Sequence, residues 1–392
     1  MTGGPCESFW SPRPFPEING VANTMRYLAE GLIARGHRLL LVRPSQPARE
    51  PPLEDPRLLQ ELVPGLPIPG YADLRFGLPV GRRLKRLMTR FTPDLLYIAT
   101  QGPLGHAALG AARARGVPAL TGFHTQFHQY SKHYGLGVLA GGIGTLLRRF
   151  HNRSQATLAP TQECAEQLIG QGFNNVHLFT RGVDTGLYRP QRRSSALRRS
   201  WGCKDDCLIA LYVGRIAAEK NLALAVRAFD AIRQQRPNAR FVLVGDGPEL
   251  AQLKHRRSDF IFAGAKTGKD LACHYASGDL FLFPSLTETF GNVVAEAMAS
   301  GLPVLAFDYA AARHYIRDGA NGLLVPFGDE VQFVSAASRL ATQPDRLSNI
   351  ASAARSTAET LSWDQAIEQV EALFYATVRD SDAKPTTAAS VT

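Results

Sequence analysis

From residue 21 onward the apolar positions switch between two periods. Val21, Met25, Leu28 and Leu32 recur at helical spacing after the loop FPEING, and Gly36 closes that segment before the apolar run RLLLVRP. The same succession of a short, continuously apolar run and a helical segment returns in PDLLYIAT, in GHAALGAARARG closed by Gly116, and in VPALTGFH, QATLAPT and NNVHLFTRGVD. Runs that are apolar at every residue suit strands buried on both faces, and their alternation with helices predicts a doubly wound, mostly parallel α/β sheet. After TRGVDTGLYRPQRRSSALRRSWGCKDDC the rhythm restarts: strands LIALYVGR, ARFVLVGDG, DFIFAG and DLFLFPS alternate with helices NLALAVRAFDAIRQQ, PELAQLKHR, KDLACHYAS and NVVAEAMAS. Two α/β domains joined near residues 185–206 are expected, followed by the helical segment WDQAIEQVEALFYATV. The tail at 380–392 is small and polar and is expected to be disordered. One slot breaks the pattern. Where such a sheet normally opens with an apolar strand, the chain has SFWSPRPFP, and prolines cannot donate to a ladder. The first strand of the N-terminal sheet is expected to be missing, so either the natural start lies upstream or the sheet tolerates a gap at its centre.

Composition narrows the class. At 392 residues the chain is too long for one typical core, and 45% hydrophobic residues with mixed charge fit a folded protein. No window approaches the roughly 20 apolar residues that span a bilayer, and the N-terminus lacks a signal-peptide core, so a cytoplasmic location is expected. The five cysteines, Cys6, Cys164, Cys203, Cys207 and Cys273, are scattered, and all five read as reduced thiols. A net charge of +10 favours an anionic partner. Part of the excess is patterned: GRRLKRLMTRF sets Arg82, Arg86 and Arg90 along one helical face and Leu84, Leu87, Met88 and Phe91 along the other. Two readings stand side by side, a helix lying on an anionic membrane surface and the solvated face of a core-packed helix. No nucleic-acid-binding module or aromatic stacking platform accompanies the charge, so no nucleic-acid partner is expected.

The loops at strand ends carry the chemistry. FPEINGVANT places Gly20 at a helix start, where free amides and the helix dipole favour an anion and glycine permits close approach. VGDGPEL lacks the third glycine of a dinucleotide fingerprint, and AGAKTGKD misplaces the first glycine of a phosphate loop, so neither motif is assigned. FHTQFHQYSKHY contains His124, His128 and His133; without an intervening glutamate a metal site is not expected, and His124, at the carboxyl end of a strand, reads as a substrate contact. In LYVGRIAAEKN, Arg215 at a strand end and Lys220 before a helix are placed to clamp a diphosphate. In LTETFGNVVAEAMASGLPV, Glu288 sits in the loop and Glu296 in a helix that is otherwise apolar all round. An unpaired buried charge is costly, so Glu296 needs partners. Between the two glutamates, the backbone amides of Phe290, Gly291 and Asn292 lie at a helix start, suited to a phosphate-bearing ligand with hydroxyls at both ends.

Together these motifs resemble the retaining glycosyltransferases of family 4. SLTETFGNVVAEAMASGLPV resembles their pair of glutamates separated by seven residues, GRIAAEKN their cationic clamp, FPEINGVANT their N-terminal glycine loop, GFHT their histidine and RGVD their interdomain segment. The order agrees from about residue 15 to 377, and GLGVLAGGIG with FHTQFHQYSKHYG is most similar to the branch that glycosylates lipids or transfers mannose. The resemblance implies a GT-B fold, two facing Rossmann-like doubly wound domains with a central cleft. It implies an acceptor-binding domain at 1–190, a donor-binding domain at 191–358, and a helix at 359–379 packing back on the first domain. It also implies roles: Glu288 accepts hydrogen bonds from the donor sugar's hydroxyls, the backbone amides around Phe290, Gly291 and Asn292 help place sugar and phosphate, and Glu296 binds the ribose. Arg215 and Lys220 neutralise the departing diphosphate in place of a metal, Gly20 allows close approach, and His124 contacts the sugar near the reacting carbon. The implied reaction moves a hexose from a GDP-mannose or UDP-glucose type donor to an alcohol, a membrane lipid or a saccharide, with no cofactor beyond the nucleotide-sugar substrate. Where many members carry a Gly-Gly loop after the strand PVLAF, this chain has DYAAARHY. A nucleotide-sugar epimerase of the same fold and an inactive nucleotide-sugar-binding homologue remain as alternatives.

Overall fold

The computed structural model describes residues 20–45, 55–68, 71–124, 140–203, 207–288 and 290–383. The Pro-rich slot before Gly20, His128, His133, Cys6 and the tail from 384 lie outside the described residues. The chain forms two compact units, Met1–Thr180 with Trp363–Thr392, and Arg181–Ser362. The division falls after Thr180 rather than 190, because Val183 and Tyr188 are buried in the core of the second unit. The second unit correspondingly runs to Ser362 rather than 358.

In the first unit, α1 (Gly20–Ala34) buries the face carrying Val21, Met25, Leu28 and Leu32, as its spacing predicts. The described strands form three groups: β1 (Leu39–Pro44) pairs in parallel with β2 (Leu58–Val63), β3 (Gly65–Ile68) and β4 (Tyr71–Gly77) form an antiparallel hairpin, and β5 (Leu96–Ile98), β6 (Ala119–Gly122), β7 (Ala156–Ala159) and β8 (Val176–Leu178) make a parallel sheet in that order. The hairpin is the antiparallel part of this otherwise parallel unit. Alternate residues of β1 and β5 point to two apolar layers: Leu39, Leu41 and Tyr97 enter one, Leu40, Val42 and Ile98 the other. Helix α2 (Gly81–Phe91) buries Leu84, Met88 and Phe91 and leaves Arg82, Arg86 and Arg90 exposed.

The last helix, Trp363–Asp382, packs on α1: Ile367, Val370 and Phe374 join Met25, Leu28 and Leu32 in one core, and Trp363 stacks on Tyr27 with ring centroids 4.6 Å apart. Helix and following turn reach Ala383, so residues 380–383, expected in a disordered tail, belong to the helix and its turn. Apolar periodicity ending at Val378 hid this last polar turn.

The second unit is one six-stranded sheet. Its strands are β9 (Ile209–Val213), β10 (Arg240–Val244), β11 (Ile261–Gly264), β12 (Leu280–Phe283), β13 (Val304–Phe307) and β14 (Leu323–Val325), in the order β11-β10-β9-β12-β13-β14, all parallel. Every residue of β9, β12 and β13 is buried, which explains their continuously apolar sequence. The cysteine reading needs correction: Cys203 and Cys207 form a disulfide. The turn after the helix Ser195–Ser200 brings their Cα atoms to 5.4 Å, within bridging range, and Arg198 donates to the Cys207 carbonyl oxygen at 2.8 Å. Cys164 and Cys273 take part in no disulfide.

Because Phe374 is buried and its ring lies 6.0 Å from that of Tyr97, the final helix is part of the first unit's core. Phe374→Ala is expected to cost about 3–5 kcal/mol, seen as a lowered midpoint in urea unfolding; a midpoint unchanged from wild type would refute this packing.

Candidate active site

The strand order reverses between β9 and β12: from β9 the chain proceeds outward through β10 and β11, from β12 outward through β13 and β14. Loops leaving two neighbouring parallel strands in opposite directions open a crevice at their carboxyl ends, the usual ligand site of such sheets. Arg215 and Lys220 follow β9, and Glu288 follows β12. The first loop is braced by the one after β10: the amides of Gly214 and Ile216 donate to the carbonyl oxygens of Val244 and Asp246, and the Glu249 amide donates back to Ile216. At Gly245, with φ 148°, a Cβ would stand 1.9 Å from the Gly214 carbonyl oxygen, so only glycine lets these loops meet. The buried Tyr212 hydroxyl donates to the Arg215 carbonyl oxygen at 2.7 Å, fixing the backbone that carries the guanidinium.

Lys220 ends a short 3-10 turn, Ala218–Lys220, and its Nζ lies 2.5 Å from Glu288 Oε1 and 3.2 Å from the Thr287 carbonyl oxygen. The clamp cation and the loop carboxylate, 68 residues apart, therefore meet directly. Both side chains are largely sheltered, at 13% and 14% exposure, so the pair is stronger than an exposed one. The loop itself is held from outside: Tyr309 donates to the Glu288 carbonyl oxygen at 3.0 Å, and the Ala311 amide to that of Phe290 at 2.8 Å. Gly291 takes the left-handed conformation, φ 97°, and turns the chain into the helix Asn292–Ala299. Its N-cap residue, Gly291, has no side chain to cap that helix start, whose free amides and positive dipole end favour an anion. Arg181 donates to Asn292 Oδ1 at 2.9 Å and lies 4.6 Å above the buried Phe290 ring. Phe290 thus supports the loop through its ring, a packing role in addition to its backbone.

Glu296 sits in the helix's second turn at 9% exposure. The partners that burial demands are phenols: Tyr275 donates to Oε2 at 2.9 Å, and Tyr188 also hydrogen-bonds the carboxyl. Burial raises this carboxyl and the two phenols pull it partway back, to about 7. Burial pushes the Tyr275 phenol well above its ordinary value, so it stays a donor.

The first unit holds the other two candidates. Gly20 is the exposed first residue of α1, and its carbonyl oxygen accepts from Thr24 Oγ1 at 2.7 Å. His124 follows β6, is 4% exposed, and its Nε2 meets the Tyr97 hydroxyl at 2.7 Å. Sequence reasoning did not single out Tyr97, Arg181, Tyr188 or Tyr275. Each looks like an ordinary strand, loop or helix residue until folding delivers its polar atom to a site residue. No group of three or more potential metal ligands occurs among the described residues.

Residues 18–187 match the family profile described as Glycosyltransferase Family 4, and residues 208–343 match that described as Glycosyl transferases group 1. The chain is 37% identical over 320 residues to a GDP-mannose-dependent alpha-mannosyltransferase of Mycobacterium tuberculosis, covering 80% of this chain and 82% of that one. It is 29% identical over 371 residues to the sulfoquinovosyl transferase SQD2 of Arabidopsis thaliana, covering 92% and 71%. The crystal structure of Anabaena HepE in complex with UDP and glucose superposes with a TM-score of 0.74 at 22% identity, covering 95% and 99% of the two chains, a likeness of fold. By this identity over four-fifths of its length and by both profiles, the chain belongs to glycosyltransferase family 4 and is a glycosyltransferase of the GT-B fold.

Proposed function

We propose that this glycosyltransferase moves mannose from GDP-mannose to an alcohol of a membrane lipid or saccharide, with retention at the anomeric carbon. The observation that carries the reading is the Lys220–Glu288 pair at the switch point of the second sheet, with Arg215 in the same loop as Lys220 and Glu296 in the helix that follows Glu288. A cation and a carboxylate meeting ahead of a helix start suit a sugar diphosphate. The mannosyltransferase relative supports the choice of donor.

On donor binding, Lys220 exchanges Glu288 for a phosphate oxygen, and Glu288 is released to accept hydrogen bonds from sugar hydroxyls. Glu296 accepts from the ribose, and His124 is a substrate contact. As the bond from C1 to the phosphate oxygen breaks, charge grows on the diphosphate. Arg215, Lys220 and the positive end of the helix Asn292–Ala299 stabilise that charge. The bond from C1 to the acceptor oxygen forms on the same face, and the acceptor's proton passes to the leaving phosphate. The exposed Arg82, Arg86 and Arg90 form a cationic row on α2, suited to anionic headgroups around a lipid acceptor. No helix among the described residues is long and apolar enough to cross a membrane.

A thermal-shift screen is expected to show GDP-mannose stabilising the protein, by about 2.7 kcal/mol at a hundredfold excess over its dissociation constant; a response to UDP-glucose alone would overturn the donor assignment. Glu288→Gln keeps the shape but removes the charge, and transfer should fall by about 100-fold with the melting temperature near wild type. Full activity in that variant would remove Glu288 from the mechanism. Replacing Arg82, Arg86 and Arg90 together by serine should lower retention on vesicles containing phosphatidylglycerol by about tenfold or more at unchanged stability, and equal retention would sink the membrane assignment.

A further inference from the structure

Two segments remote in sequence converge on the Glu296 carboxyl, and a third fastens one of them in place. Tyr275 arrives from the helix Gly268–Ser277, buried and donating to Oε2 at 2.9 Å. Tyr188 arrives from a tight turn in which Asp184 Oδ1 accepts the amides of Gly186 and Leu187 at 3.0 and 2.8 Å, and the Tyr188 amide closes onto the Asp184 carbonyl oxygen at 2.8 Å. Arg355 fastens this turn to the end of the Glu296 helix: one nitrogen, Nη1, reaches the carbonyl oxygens of Tyr188 at 2.9 Å and Ala299 at 2.7 Å. The two phenol rings meet edge to face at 5.7 Å, so each limits the other's movement.

We propose that Tyr188 and Tyr275 are positioning residues for donor binding: their hydroxyls hold the Glu296 carboxyl in one orientation and leave its remaining lone pairs to accept the two ribose hydroxyls of the nucleotide. The inference rests on the reading of Glu296 as the ribose contact. A carboxylate offers about four acceptor positions, and two phenols occupy half of them. A purely structural carboxyl in an apolar helix needs no orientation shared between two remote segments.

The groups facing Glu296 set its titration. Tyr275 faces it from one neighbouring helix and Tyr188 from the turn. From the helix Pro344–Ala358 comes Arg355, whose Nη1 is held by backbone carbonyl oxygens; from Ala310–Tyr315 comes Tyr315, whose hydroxyl donates to the Arg181 carbonyl oxygen. Burial raises the carboxyl and each phenol favours its ionised form, which together leave it at about 7. Nucleotide affinity should therefore rise as pH increases through about 7 and then level off. Removal of one phenol should move that midpoint upward.

The test is calorimetric titration of the full-length protein with GDP, and with UDP in parallel because the ribose is common to both, between pH 5.5 and 9. Tyr275→Phe and Tyr188→Phe should each weaken binding roughly fivefold at pH 7, the effect of one hydrogen bond of about 1 kcal/mol, with the midpoint shifted to higher pH. Tyr275→Phe combined with Glu296→Gln should bind no more weakly than Glu296→Gln alone. Unchanged affinity and midpoint in both phenylalanine variants, or full additivity in the double variant, overturns the positioning role. If Glu296→Gln itself binds both nucleotides as wild type does, the ribose reading fails instead, and the inference with it. Thermal melts accompany each titration; should Tyr275→Phe fail to fold, Tyr188→Phe decides.

Discussion

The parallel ladder between β9 and β12 is the contact on which the rest of the second unit depends. It pairs only Leu280 with Ala210 and Phe281 with Leu211, yet it joins two halves of the sheet that run outward in opposite directions. Two consequences follow from that reversal. The loop after β9 and the loop after β12 leave the sheet side by side. Lys220 and Glu288 owe their proximity to this geometry.

Within the crevice, two carboxyl groups are stabilised by different means. Glu288 pairs with a cation at 2.5 Å, an arrangement that a ligand with its own negative charge can displace. Glu296 is placed differently. It is held by neutral donors in a buried setting, where desolvation works against the ionised form and the phenols work for it. One carboxyl is thus arranged to change partners and the other to stay in place, a difference that comes from surroundings and not from the residue type.

Much of this was legible before folding. The helical spacing of Val21, Met25, Leu28 and Leu32 and the apolar runs of the second unit correspond to observed elements, because a strand buried on both faces admits no polar residue and leaves a plain signature. Glu296 was recognisable as buried for the same reason. The hairpin Gly65–Gly77 was not legible, since its strands are short, rich in proline and glycine, and carry no clear period. Nor was the Cys203–Cys207 bridge, which depends on how the turn after Trp201 meets the start of β9.

Local patterns thus determined what is settled within about a dozen neighbouring residues: which segments are helices or strands, which face of each is apolar, and which loops carry cations, glycines and carboxyls. Tertiary structure alone decided the partners. Lys220 meets Glu288 across 68 positions, and Tyr188 and Tyr275 reach Glu296 from separate segments. The physical reason is that hydrophobic periodicity records burial, which is non-directional. A hydrogen bond or ion pair needs its two atoms within about 3 Å, and only strand order and helix packing bring them there.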